Sequence, residues 1–266
     1  MLAMTRVFSG DVAGYYAKYR RGYPPQAIDA LQKAFGLGTE DVVLDLGCGT
    51  GQLALPLTDR VRSVIGMDPE PDMLRLAGEA AAEQGIGNAT WILGGDRDVP
   101  ALRALLGRSS LAMTVIGNAI HWMRHEELFD ALLPLLRPGG GIAVVANGTP
   151  LWLQENSWSP GLRAGLERHF DTRLTTSCGT LSQERDQYRQ ALGAAGFGEV
   201  RETVVEYTDE LTLEQIVGGV YSAVPTDQLP APEDRPAFTE YIRQCLPADQ
   251  ETFTEHVRVA ILAARA

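Results

Sequence analysis

The stretch LDLGCGTGQ, Leu44–Gln52, closes an apolar run, DVVLDLG (41–47), with three alternating glycines, Gly47, Gly49 and Gly51. A short apolar run bounded by turn residues reads as a buried strand. Glycines directly behind it let the backbone turn tightly and let a ligand lie against it, where a Cβ would collide. The spacing is G-x-G-x-G, with Gln52 where the dinucleotide fingerprint has its last glycine, and no phosphate-binding lysine follows. Taken alone, such a turn could equally join a strand to a helix and hold nothing.

The flanking sequence decides between these readings. VRSVIGMD (61–68), ATWILGGD (89–96), SLAMTVIG (110–117) and GGIAVVAN (140–147) read as further buried strands. Helix-like segments such as EPDMLRLAGEAAAEQG and HEELFDALLPLLRPGG lie between them, the second expected to stop at Pro138 and Gly139. Repeated strand–helix units with right-handed crossovers build a doubly wound α/β sheet. The second strand ends in Asp68, 23 residues after Asp45, and the third in Asp96. An acid at the second tip is placed to accept hydrogen bonds from both hydroxyls of a ribose, and one at the third from an adenine amino group. Open α/β sheets bind ligands at the carboxyl ends of their strands, where all three features fall.

Composition narrows the class further. The 266-residue chain carries a formal charge of −11, with dispersed arginines and only two lysines, Lys18 and Lys33. A duplex nucleic acid needs clustered cations, so none is expected as partner. The lysine-poor, arginine-rich usage suits a high-GC bacterial coding bias. No apolar run approaches the ~18 residues of a membrane span, and MLAMTRVFSGD lacks a long apolar leader core. Cys48, Cys178 and Cys245 are an odd, scattered set without a disulfide framework, so a reducing, cytoplasmic setting is expected.

The motif series VLDLGCGTG, VIGMDPEPDML, GGDRD, NAIHWM and LLPLLRPGGGIAVVA resembles that of the class I S-adenosylmethionine-dependent methyltransferases. The opening YYAKYRRGYP is similar to the Y-x-x-Y-R-x-x-Y-P helix of a bacterial small-molecule, natural-product subgroup, although Arg21 stands where that motif usually has proline. The resemblance spans about residues 7–147 and implies a Rossmann-like, mainly parallel seven-stranded sheet with an antiparallel last strand. It implies S-adenosylmethionine as methyl donor, S-adenosylhomocysteine as product, and a small-molecule acceptor methylated on N or O in secondary-metabolite or antibiotic biosynthesis. It further implies a single domain made of cap helices (1–38), a donor-binding core (39–147), a lid insertion (148–182) and a C-terminal part (183–266) that completes the sheet and acceptor pocket.

Carried onto this chain, the resemblance assigns the donor to Tyr16, Arg20, Asp45, Gly47, Gly49, Asp68, Pro69, Met73, Asp96, Arg97 and Asn118. Gly47 and Gly49 would admit the methionine part, Asp68 the ribose, and Asp96 with Arg97 the adenine. Met73 would pack on the adenine or simply fill the core. Tyr16 and Arg20 would face the donor's carboxylate, the guanidinium being suited to a bidentate grip. Backbone near Gly117 and Asn118 would receive the donor's ammonium.

Methyl transfer is an in-line displacement at an activated carbon, so alignment and exclusion of water carry most of it. An amine must be neutral and a hydroxyl must lose its proton, so a base is needed only for some acceptors. His121, in the fourth strand's tip GNAIHWM, has a reference pKa suited to that role, with Tyr16 the next polar group. The reading of His121 as pocket wall or orienting group is preferred over that of a base, and Trp122 reads as an apolar wall. His121 and His125 are four apart and could share a face on a helix and ligate a metal with Glu126, but no further ligand accompanies them and no metal is expected. Beyond residue 148, Trp152 and Trp158 would form the substrate cover, a dimer contact in a homo-oligomer, or an ordinary packed excursion. SQERDQYRQALGAAGFG reads as a helix, EVRETVVEYTDE as a strand, TLEQIVGGVYSAV as a capped helix, residues 233–246 as a helix and TFTEHVRVAILAAR as a last strand. The competing readings are a nicotinamide oxidoreductase, which Gln52 disfavours, an RNA methyltransferase, which the acidic charge disfavours, and a non-catalytic donor-binding regulatory or scaffold module.

Overall fold

The computed structural model describes residues 8–175 and 181–266. Cys178, part of the expected cover, and most of the leader stretch lie outside the described residues. Seven strands, β1 (Val42–Leu46), β2 (Ser63–Asp68), β3 (Ala89–Leu93), β4 (Leu111–Gly117), β5 (Leu136–Asn147), β6 (Val200–Thr212) and β7 (Thr252–Arg265), form one sheet in the order β3-β2-β1-β4-β5-β7-β6. β1 pairs in parallel with β2 and β4, β2 with β3, and β4 with β5. β7 enters antiparallel beside β5, Gly141 opposite Arg265 and Asn147 opposite Val259. This is the doubly wound sheet with an antiparallel last strand that the motif series implies.

The helices are α1 (Asp11–Tyr19), α2 (Pro25–Phe35), α3 (Ala54–Leu57), α4 (Pro71–Glu83), α5 (Val99–Leu106), α6 (His125–Leu132), α7 (Ser159–His169), α8 (Ser182–Ala194), α9 (Leu213–Tyr221) and α10 (Arg235–Gln244). The expected stop of α6 is corrected. The helix ends at Leu132 and a 3-10 turn, Leu133–Leu135, follows. Pro134 has no N–H to donate to the preceding turn, which terminates the α-helix there. Pro138 and Gly139 lie within β5, whose register against β4 shifts between Leu111 and Met113, and Gly139 takes the left-handed φ of +75° that this irregularity needs.

The chain divides into two compact units. The sheet unit comprises Arg21–Asn147, Cys178–Val205 and Arg258–Ala266. Its core is built by Leu44, Met67, Leu111, Ile116, Phe129, Ile142 and Leu262, all at most 1% exposed, together with Tyr188 and Leu192 of α8. The second unit comprises Met1–Arg20, Gly148–Ser177 and Glu206–Val257. Its own core joins Trp158, Leu162, Ile216, Val220, Phe238, Ile242 and Phe253. Trp158, expected in a cover, is instead buried there, its ring edge-on to Phe253 and its Nε1–H donating to the Thr254 carbonyl at 2.8 Å. A ring of this size contributes most when wholly removed from water with its N–H satisfied, and both conditions hold.

Candidate functional site

Burial on both faces makes β1 a core strand, and its last residues deliver the backbone into the glycine turn. The N–H groups of Gly47 and Cys48 both donate to the Met67 carbonyl, at 2.8 and 3.1 Å, which ties the turn to the end of β2. Gly47 has φ +73°, and a Cβ there would sit 2.5 Å from the Ala119 Cβ, so only glycine lets the tip of β4 approach. Gly49, at φ +54°, donates its N–H to Asp68 Oδ2 at 2.9 Å, and Glu70 N–H donates to Asp68 Oδ1 at 2.9 Å. Asp68 is therefore oriented by one backbone N–H on each oxygen, which leaves further lone pairs for a ligand's hydroxyls. Burial raises its carboxyl above the usual range, while the Glu70 and Gly49 N–H groups oppose that shift.

Asp45 lies deeper, 1% exposed. Burial, and then the neighbouring Asp68 charge, push its carboxyl from the usual 3.8 to about 8, against one backbone N–H from Ala54 at the start of α3. Its Oδ2 has no hydrogen-bond partner. Cys48 in the same turn is a buried thiol pushed well above its usual range, first by burial and then by Asp45 and Asp68. Such a thiol is inert packing.

Beyond β2, Pro69 is exposed and Met73 of α4 is 3% exposed, which places Met73 in the core. Asp96 opens the 3-10 turn Asp96–Asp98 behind β3, half-buried, and its Oδ2 accepts the Arg124 N–H at 3.0 Å. That bond ties the β3 tip to the segment that follows β4. Arg97 beside it is exposed.

The β4 tip is held by a pair of asparagines. Asn118 adopts φ +52°, which asparagine tolerates better than most residues, and its N–H donates to the Val145 carbonyl at 2.9 Å. Asn118 Oδ1 accepts the Asn147 N–H at 2.8 Å, and Asn147 Nδ2 donates to the Gly22 carbonyl at 3.0 Å. The Asn118 side chain thus clamps β4 to β5, while the donor is expected to meet the backbone here. The 3-10 turn Ile120–Trp122 then buries Ile120 and presents a half-buried His121 and a 62% exposed Trp122, their ring centroids 5.0 Å apart. His125 packs edge-on to Tyr188 at 5.3 Å and near Phe129 at 6.0 Å, an aromatic contact rather than a ligand pair. Among the described residues no group of three His, Cys, Asp or Glu side chains could hold a metal ion.

Asp45, Gly47, Gly49 and Asp68 therefore converge on one turn, with Asp96, Asn118, His121 and Trp122 at the neighbouring strand ends of the same unit. Tyr16, Arg20 and Trp152 belong to the second unit. There the Arg20 guanidinium lies over the Tyr16 ring, 5.2 Å from its centroid, and Nη2 donates to the Ser222 carbonyl at 3.5 Å. Trp152 is half-buried in a 3-10 turn, Leu151–Leu153, packed against that unit's core. Two residues of the sheet unit were not singled out from sequence. Tyr23 sets its hydroxyl against Gly117, where a Cβ would collide with it. Asn147 completes the clamp. Tyr23 was legible only as part of YRRGYP; an asparagine ending a strand carries no comparable signal.

Residues 43–140 match the sequence profile of a family described as a methyltransferase domain. An uncharacterized methyltransferase of Mycobacterium bovis is 34% identical over 138 residues, covering 52% of this chain and 51% of the relative. A candidate cobalt-precorrin-6B C(15)-methyltransferase (decarboxylating) of Methanothermobacter thermautotrophicus is 31% identical over 109 residues, 41% of this chain and 54% of the relative. The chain thus spans about half the length of the curated relatives it matches. A solved candidate type II methyltransferase from Anaeromyxobacter dehalogenans superposes with a TM-score of 0.62 at 20% identity over 93% of this chain and 98% of the other, a likeness of fold. Among the described residues no helix is long and apolar enough to cross a membrane.

Proposed function

We propose that this chain, whose residues 43–140 match a methyltransferase domain, is a class I S-adenosylmethionine-dependent methyltransferase that transfers a methyl group to N or O of a small-molecule acceptor in bacterial secondary metabolism. The observation that carries donor binding is the linked set of strand ends: a left-handed glycine turn, Asp68 oriented by Gly49, and Asp96 one strand further. These residues fit the donor chemically. The turn admits close backbone approach, Asp68 keeps lone pairs for vicinal hydroxyls, and the Asp45 oxygen that lacks a partner suits a cationic molecule.

S-adenosylmethionine supplies, when bound, a methyl group already activated by its sulfonium. The protein's task is then alignment and exclusion of water, worth several kcal/mol in reactions of this kind. Gly47, Gly49, Asp68, Asp96, Pro69 and Arg97 bind or enclose the donor in this reading. His121 takes a proton from an acceptor hydroxyl or ammonium, and Trp122 offers it an apolar wall. The free thiols Cys48 and Cys245 suit a reducing, cytoplasmic setting.

Calorimetric titration of the full chain with S-adenosylhomocysteine tests the donor site, and absence of binding by the wild type would sink the whole reading. His121→Ala is expected to cut turnover by about 10²-fold while donor affinity is kept. An unchanged rate makes His121 a wall. Methylation of carbon alone across an acceptor panel would overturn the N or O assignment, and tight donor binding without methylation of any acceptor would favour a regulatory module.

A further inference from the structure

Two carboxyl groups share the glycine turn, and they are not equally supported. Asp68 has a backbone N–H on each oxygen, from Gly49 and Glu70. Asp45, 1% exposed at the end of β1, has only the Ala54 N–H, and its Oδ2 is buried with no partner. A buried ionised carboxylate with an unmet oxygen beside a second carboxylate is costly on both counts, and taking a proton relieves both.

The surroundings offer nothing else to neutralise it. β2 contributes Asp68, the turn contributes the Cys48 thiol, and α3 contributes Ala54 N–H. Neither β4 (LAMTVIG) nor α3 (ALPL) contains a charged residue. Glu70, the remaining acid near this turn, acts on Asp68 in the same unfavourable sense. Among the described residues no cationic side chain acts on the Asp45 charge.

We propose that Asp45 carries a proton in the donor-free protein and releases it to solvent when the donor occupies the turn. The inference rests on the donor-binding reading above and deepens it. The balance is simple: the Asp45 O–H bond breaks, its electron pair stays on the carboxylate, and buffer takes the proton. S-adenosylmethionine is a net cation, so its arrival supplies the opposite charge that the turn lacks. Asp45 thereby acts as a positioning and charge-matching residue that is fully ionised only in the complex. It also keeps the empty site from holding two negative charges in low dielectric, which would otherwise strain the turn.

The test is calorimetric titration of the full chain with S-adenosylmethionine and with S-adenosylhomocysteine at pH 7, in buffers of different ionisation enthalpy. The slope of apparent enthalpy against buffer enthalpy counts protons exchanged. The expected result is release of nearly one proton with S-adenosylmethionine, falling to near zero in Asp45→Asn, whose amide has none to lose. Affinity is expected to weaken about tenfold for each pH unit below 8 and to level off above it. Binding with a slope of zero in the wild type overturns this inference and leaves the donor site standing. A slope that persists in Asp45→Asn assigns the proton elsewhere and overturns it too. Absence of any binding heat counts against the donor site itself. Where Asp45→Asn does not fold, infrared difference spectra of the wild type replace it: loss of a protonated-carboxyl band on donor addition supports the inference, and an unchanged band overturns it.

Discussion

Asp45 and Gly47 are two residues apart and show how much one turn constrains a side chain. Folding raises the Asp45 carboxyl from its usual 3.8 to about 8, so the folded state binds more protons than the unfolded state between those values. Stability then falls as pH rises from about 4 through about 8 and is level above. Thermal denaturation from pH 5 to 9 is expected to show this decline in the wild type and a flatter profile in Asp45→Asn; parallel profiles would refute it. Gly47→Ala puts a Cβ against Ala119 at a φ of +73° and is expected to cost about 2 kcal/mol. Donor affinity should drop with it, because Ala119 precedes the His121 turn. Chemical denaturation and the same calorimetry check both parts. The glycine turn was legible in the sequence because steric need leaves a residue-type signature. The proton on Asp45 was not, since it depends on burial and on Asp68 arriving from another strand.

Elements carry a different kind of information. The apolar strands and their order of appearance were readable, and in β1, β2, β4 and β5 the near-continuous apolar runs do reflect burial on both faces. β3 was read as buried too, but it is the terminal strand of the sheet, none of its residues is fully buried, and Leu93 is 62% exposed. TFTEHVRVAILAAR was readable for its β-rich, half-alternating pattern and is β7 over the same residues. The end of α6 was misread because Pro138 and Gly139 look like a helix stop, whereas Pro134 had already removed the N–H that the helix needed. At the start of α9 the capping box is realised: Gln215 N–H donates to Thr212 Oγ1 at 3.2 Å and Thr212 N–H to Gln215 Oε1 at 2.8 Å. Thr212→Ala is expected to lower stability by about 1 kcal/mol, with Thr212→Ser close to wild type, as read by denaturant midpoints. The Asn118–Asn147 clamp joins two strand ends far apart in sequence, and no local pattern announces it.

At the scale of the whole molecule, each unit has its own core. Trp158 anchors that of the second unit, so Trp158→Ala is expected to cost about 3–5 kcal/mol, measured by thermal or denaturant unfolding. A near-neutral substitution would instead return this ring to the role of cover. The amino-acid sequence by itself determined the doubly wound sheet, the glycine turn and the acids at the strand ends, because strand burial, backbone sterics and strand-end geometry act through residues close in the chain. Tertiary structure alone decided that Trp158 is core, that Asn118 clamps β5, that Pro138 belongs to a strand, and that one oxygen of Asp45 is left without a partner beside Asp68. Those outcomes depend on which distant segments share a volume and which polar groups are left for each other once water is gone, and neither is written in any one segment.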